Sequence, residues 1–572
     1  MRMRFDLSSG VTYDTADVPT QVVPGRLSYG ITELSPTHQR FHVEALDPYP
    51  TPRVEPPNPL LIRAMVISIP DGWTIWRAAE HRIVPYMIGE TQYRVNDENV
   101  WLVHSGSNSQ ARTYSTVPGS SVDYYLAGGT RMWIDVYQDG HDPYAPPIAG
   151  TDAPEPNSPA GLFASFVGMG DPTPEGFSRL PEQAKRAVSI FKTRTDTEHP
   201  YCYGDWVWGA DPAPNWYGQP VLQQRFSWDA QYGDAQGGLR GLLWYGYTPW
   251  GQLSDAAHYE AVAACLENYI WTRDPGAWDL AVIIWRRFMQ SFLVTHTEGE
   301  KTYAENIYEK TGGVGEYAGE QWPVGKWSHT WYTNSIPMAK ILGDPMALEL
   351  CQAQWDWLRD RDKGYIWNSA GGCRSMGWAL RNARLCRHYG YEGALDRINV
   401  LIEHTFASHD RYSDGRLHWI NRTAHTRDSA GPWMNAILDT ELIACMSTGA
   451  STARWGQLMT MVRWQINRFV LLQPDGSARV VFDSPDTTDP SRDTFLYQRT
   501  EAAWWSSLLY LMKVLEPQSY TVYWDAIQKT YLAHGPYYSI DYAVGGGPAA
   551  FKSWLSERIY HNKGLQWGLE LR

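Results

Sequence analysis

The stretch 316–332, EYAGEQWPVGKWSHTWY, gathers side chains that can move protons. Elimination at a uronide needs a cation or amide to neutralise the carboxylate, a base for the C5 proton and an acid for the leaving oxygen. His and Tyr commonly fill the last two roles, so Tyr317, His329 and Tyr332, with Glu316 and Lys326 nearby, form one candidate catalytic group. A plainer use is also open: Ser328 can cap a helix while His329 satisfies backbone groups. A second group lies in 418–433, HWINRTAHTRDSAGPW, with His418, His425, Arg427 and Asp428. There Arg427 could clamp a carboxylate bidentately, or simply pair with Asp428 at the surface.

Hydrolysis of a glycoside would instead use two carboxylates about 5 Å or about 6.5–9.5 Å apart. Asp205, Asp229, Glu260, Glu316, Glu320 and Asp428 are the pool. The segment 201–232 surrounds Asp205, Asp211 and Asp229 with Trp206, Trp208, Trp216 and Trp228 in a Pro/Gly-rich context. Aromatic faces beside carboxylates suit sugar rings, which have apolar C–H faces and polar rims. Such a loop could equally plug the protein from inside. His258 and Trp331 complete the expected substrate-binding set. His404, His409, His418 and His425 crowd one region, but none stands four residues from another, so no metal site is expected. No cofactor fingerprint, P-loop or serine-nucleophile elbow is present either.

Composition agrees with a sugar partner. There are 29 Trp and 35 Tyr against 14 Phe, an excess of aromatic side chains that keep a polar handle. The net charge of −13 and the lack of a basic stretch exclude nucleic acid. No run approaches a membrane span, and MRMRFDLSSG lacks the apolar core of a secretory signal. Localisation stays open between the cytoplasm and a virus particle or other assembly exported by another route, and a homo-oligomer is possible. Six cysteines without a CxxC pair describe neither a disulfide scaffold nor a zinc module.

The elements that must position these residues fall into four segments. Residues 1–140 hold short β-branched and aromatic runs broken by turns, such as 61–69, 92–94, 100–103, 122–126 and 131–136, which predicts an antiparallel β-sandwich-like domain. Residues 141–182 are rich in Pro, Gly and Asp and read as a linker or strap. From 183 to 533 the period becomes helical: Trp278, Ala281, Trp285, Phe288 and Phe292 make one apolar stripe, and Leu395, Ile398, Ile402 and Phe406 another. Stripe, short turn and stripe recur at about 256–294, 329–360, 376–406, 433–470 and 501–533, with a looser sixth pair from 183–195 and 237–247. About six helical hairpins predict an (α/α) toroid, so the fold class is multidomain β + α. Residues 534–572 form a C-terminal extension. Connections within hairpins are short and those between them long, which places the candidate residues on one rim.

His258-Tyr259-Glu260, Thr272-Arg273-Asp274-Pro275-Gly276-Ala277-Trp278, Gly312-Gly313, Glu316-Tyr317, Ser328-His329-Thr330-Trp331, Gly377-Trp378-Ala379-Leu380 and Pro432-Trp433-Met434 follow one another in an order that resembles the bacterial exo-rhamnogalacturonan-lyase-like family. More loosely it resembles the α-toroid polysaccharide lyases and glycoside hydrolases. The resemblance covers about residues 200–450. It implies a β domain joined to an (α/α) barrel, and an enzyme that cleaves an acidic poly- or oligosaccharide by elimination. A glycoside hydrolase and a non-catalytic glycan-binding or structural subunit remain the alternatives. The His-rich stretch expected near 290–320 is reduced here to His296, which favours the last of these.

Overall fold

The computed structural model describes residues 1–7, 12–14, 20–23, 27–45, 62–76, 83–85, 92–95, 102–104, 124–126, 131–179, 260–306, 330–361, 372–412, 415–419, 430–495 and 498–533. It combines antiparallel sheets with helices, and among the described residues no sheet closes into a barrel.

The N-terminal part contributes β1 (Arg2–Leu7), β2 (Thr12–Asp14), β3 (Thr20–Val23), β4 (Leu27–Ser35), β5 (His38–Ala45), β6 (Ile62–Ser68), β7 (Trp73–Ile75), β8 (Ile83–Pro85), β9 (Gln92–Val95), β10 (Leu102–His104), β11 (Tyr124–Leu126) and β12 (Arg131–Gln138). One sheet runs β10-β11-β6-β1-β2, with β9 and then β8 added beside β6. The other runs β3-β4-β5-β12-β7. Side chains alternate across such strands, and Trp133, together with Arg131 and Asp135, is turned into the core from β12.

Five helical hairpins follow, at nearly the spacing the stripes predict. They are α3 (Ala261–Thr272) with α4 (Pro275–Arg287), α5 (Ile336–Leu342) with α6 (Pro345–Asp360), α7 (Gly372–His388) with α8 (Ala394–Tyr412), α9 (Pro432–Ser447) with α10 (Trp455–Phe469), and α11 (Gln498–Leu515) with α12 (Pro517–Ala533). Successive hairpins pack side by side, the closest neighbours being the first helices α7, α9 and α11. Most side chains of α7 and α9 are buried, as expected of helices packed between neighbours. Gly377 lets those two approach, since a Cβ there would lie 2.8 Å from Ile437 Cγ2. The stripes are buried as predicted at Trp278, Trp285, Ile398, Ile402 and Phe406, whereas Leu395 is exposed. The sixth pair at 183–195 and 237–247 and the extension 534–572 lie outside the described residues.

Four of the five short turns share one device. Gly343, Gly390, Gly393 and Gly449 take left-handed φ values of 63°, 77°, 75° and 90° at the hairpin tips. Arg273 does the same at φ 58° without glycine's freedom, and its guanidinium donates to the carbonyls of Pro172 and Asp152.

Two elements differ from expectation. The strap carries helices α1 (Pro159–Val167) and α2 (Pro174–Ser178), each with a Ser or Thr cap before a first-turn proline. After α4 the chain widens into a π turn (Phe288–Phe292) and then a β-hairpin, β13 (Leu293–Glu298) with β14 (Lys301–Asn306), where a helix end and a loop were expected. The cause is tertiary. Arg131 on β12 donates to the carbonyls of Met289 and Leu293 at 2.6 and 3.0 Å, so the opened backbone stays satisfied. A second hairpin, β15 (Val470–Leu472) with β16 (Ala478–Val480), follows α10.

The β module is fixed to the hairpins by a buried ionic cluster. Arg40 donates to Asp135 at 2.9 Å and to Asp344 at 2.6 Å, and Arg286 pairs with Asp135 and lies 4.7 Å from the Trp76 ring centre. Burial alone would raise the Asp135 pKa, but Arg286, Arg40 and His38 outweigh it and hold the carboxyl well below its usual range. Asp344 also caps α6, accepting from Ala347 N at 3.0 Å.

Candidate functional site

The hairpin array has two ends of different character. At the short-turn end lies α1, packed against α3, α5 and α7. Its Leu162 carbonyl is 2.8 Å from His388 Nε2, and its Pro159 carbonyl accepts from the Tyr389 hydroxyl at 2.9 Å. Phe163 and Phe166 are buried beneath it. The strap therefore covers this end.

At the long-connection end, four tryptophans from successive hairpins touch in series. Trp331 meets Trp378 edge-on at 5.8 Å, Trp378 lies 6.3 Å from Trp504, and Trp504 lies 5.4 Å from Trp433. The Arg374 guanidinium sits 5.3 Å from the Trp433 ring centre. Trp331, Trp378 and Trp504 are buried, while Trp433 and Arg374 keep part of their surface in solvent. Asn435, in the same turn as Trp433, is fully buried, and neither amide atom has a partner among the described residues. A buried amide left so costs about 1–3 kcal/mol, which a water or a ligand hydroxyl would offset.

Deeper along the same helices comes a charged layer. Arg381 grips Glu260 with two nitrogens, one contact being Nη2 to Oε2 at 2.8 Å, and reaches Glu441 at 3.2 Å. Arg384 donates to the other oxygen of Glu441 at 3.1 Å, and Thr333 donates to Glu260 at 2.9 Å. Two cations face two carboxylates. The layer rests on the strap, because the Arg381 and Arg384 guanidiniums lie 5.0 and 4.3 Å from the Phe166 ring. From mouth to floor, the order is aromatic layer, ionic layer, plug.

Of the expected site residues, Trp331 and Tyr332 can be placed. Asn382 holds them, donating to the Thr330 carbonyl at 3.1 Å and accepting from Tyr332 N at 3.0 Å. Tyr332 is a correction to the sequence reading: its ring is fully buried, and its hydroxyl donates to the Gln354 carbonyl at 2.6 Å. Trp331 lacks an open face for stacking, being 1% exposed. Glu260 has its carboxylate engaged by Arg381 and Thr333, which removes it from the hydrolytic pool. His418 is buried and stacked on Trp464 at 5.8 Å. Glu316, Tyr317, His329, His425, Arg427, Asp205, Trp206, Trp208, Trp216, Trp228, Asp229 and His258 lie outside the described residues.

Sequence reading missed Arg374, Arg381, Arg384 and Glu441. A signal existed in α7, where Trp378, Arg381 and Arg384 stand three residues apart on one face. Among the described residues no helix is long and apolar enough to cross a membrane, and no group of three or more His, Cys, Asp or Glu could hold a metal. The five described cysteines are buried free thiols. Comparison with family models, with curated proteins and with solved structures found no match.

Proposed function

We propose that this chain binds a poly- or oligosaccharide at the tryptophan-lined mouth and cleaves it, as an acidic polysaccharide, by β-elimination. One observation carries the reading: α1 covers one end of the hairpin array, while the other presents Trp433 and Arg374 in partial contact with solvent above a tryptophan series. An indole face suits the C–H face of a sugar ring, and a guanidinium beside it suits a uronate carboxylate. On this reading the five hairpins belong to an (α/α) toroid, and the two N-terminal sheets form a sandwich beside it. Such an architecture fits the exo-rhamnogalacturonan-lyase-like family, which the motif order of the chain resembles.

A second reading is favoured by Tyr332. Its hydroxyl is committed to the Gln354 carbonyl, which removes one expected proton donor and fits a non-catalytic glycan-binding or structural subunit. The two readings separate in one experiment. The chain is incubated with a panel of uronate-containing polysaccharides and followed at the absorbance of unsaturated uronides, with a reducing-end assay in parallel. Elimination raises both signals and hydrolysis only the second. Retention of glycan with neither signal supports the binding subunit, and no retention at all overturns the glycan reading.

A further inference from the structure

A separate cavity of about 420 Å³ opens between β5 and β12 on one side and α6 on the other, with the β13–β14 hairpin as its third wall. Its volume lies in the range of small-ligand pockets. The α6 wall carries two parallel stripes. Met346, Leu350 and Ala353 form an apolar line at positions i, i+4 and i+7, and Glu349, Gln352 and Asp356 form a polar one beside it. Across the gap stand Glu44, Arg131 and Thr295.

Glu44 and Asp356 are paired, and Glu349 adds an exposed carboxylate to the walls. Glu44 accepts from Thr295 Oγ1 at 2.7 Å and pairs with Arg131 at 3.4 Å. Asp356 pairs with Arg359 at 2.8 Å and accepts from Gln352 Nε2 at 3.0 Å. Burial lowers the His42 pKa below its usual value, so this wall residue brings no charge near neutral pH. An anion finds no spare cation here, and the absence of a metal-type cluster among the described residues gives no basis for a divalent ion. What the walls offer is carboxylate and amide groups for hydroxyls, next to an apolar strip for C–H groups.

We propose that this cavity is a second ligand site, and that it takes an uncharged sugar unit. The inference rests on the glycan reading above and extends it: an acidic unit engages the mouth while a neutral unit of the same or another chain docks between the domains. Two domains pinned together by the Arg40–Asp135–Arg286–Asp344 cluster keep the cavity walls at a fixed spacing, which limits the ordering cost of binding.

Saturation-transfer NMR of the full chain tests this, with methyl glycosides of neutral hexoses and 6-deoxyhexoses as probes and glucuronic acid and glucosamine as controls. The account predicts transfer to neutral glycosides and a loss of about tenfold or more in affinity in the Glu349→Ala/Gln352→Ala variant, whose two side chains are exposed and leave the core intact. Ala353→Trp, which fills the cavity, should abolish transfer. Absence of transfer, persistence of transfer in the Glu349→Ala/Gln352→Ala variant, or preference for the charged controls overturns the proposal. Cleavage of acidic polysaccharide is read separately, so the two proposals fail separately.

Discussion

Asp439 is an acid held by two hydrogen bonds in the core. It is fully buried between α9, α10 and the segment 415–419, accepting from Trp419 Nε1 at 2.6 Å and Gln465 Nε2 at 2.8 Å. Burial pushes its pKa up to about 7, against the pull of those two hydrogen bonds. The folded state then holds a proton that the unfolded chain has already released. Asp439 therefore contributes stability that is present below about pH 4 and is lost as pH rises to about 7. Asp439→Asn should flatten this part of the stability-against-pH curve, measured by denaturant unfolding across the window. A curve parallel to that of the parent would show that Asp439 ionises normally. Gly377 offers a second test at this scale. Gly377→Ala places a methyl 2.8 Å from Ile437 Cγ2 and 3.3 Å from the Leu438 backbone. Overpacking of this kind costs about 1–3 kcal/mol, so a fall in unfolding free energy of that size is expected.

At the scale of elements, the plug and the interface cluster make distinct predictions. Gly161 sits against the Glu155 carbonyl with no room for a Cβ. Gly161→Ala should loosen α1 from α5 and α7 and expose 140–179 to limited proteolysis while the hairpins stay intact. Asp135→Ala leaves Arg40 and Arg286 without their shared carboxylate, with only the Tyr144 hydroxyl in common, and breaking a buried pair in this way costs about 3–5 kcal/mol. The same elements show what sequence could and could not reveal. The hairpins were legible because their cause is local: apolar stripes at helical spacing, with Gly-containing tips such as Gly343 and Gly390 where the chain must turn left-handed. The strap helices were hidden by their proline content, although Ser158-Pro159 and Thr173-Pro174 are ordinary helix starts. The π turn was not legible at all, since it depends on Arg131, 158 residues from Met289. For the same reason the site was legible only at its edge. Trp331 and Trp433 stood in motifs, but the grip of Arg381 on Glu260 spans 121 residues and has no local signature.

At the scale of the whole molecule, the proposal joins a β module, an array of hairpins and a glycan at one mouth. The proposed closure of the array has its own test. A compact chain of 572 residues has a radius of gyration of about 25 Å. Small-angle scattering from the monomer should give a value near this for a closed ring, and a clearly larger one for an open solenoid. The central claim is that glycan engages the mouth at Trp433 and Arg374. Calorimetric titration of an oligouronide into the parent, Trp433→Ala and Arg374→Met tests it most directly. The account predicts measurable binding by the parent and a loss of about tenfold or more in each variant, with Arg374→Met also losing its preference for the uronide over the neutral sugar. Binding of equal strength in all three proteins, or no binding by the parent, would contradict it.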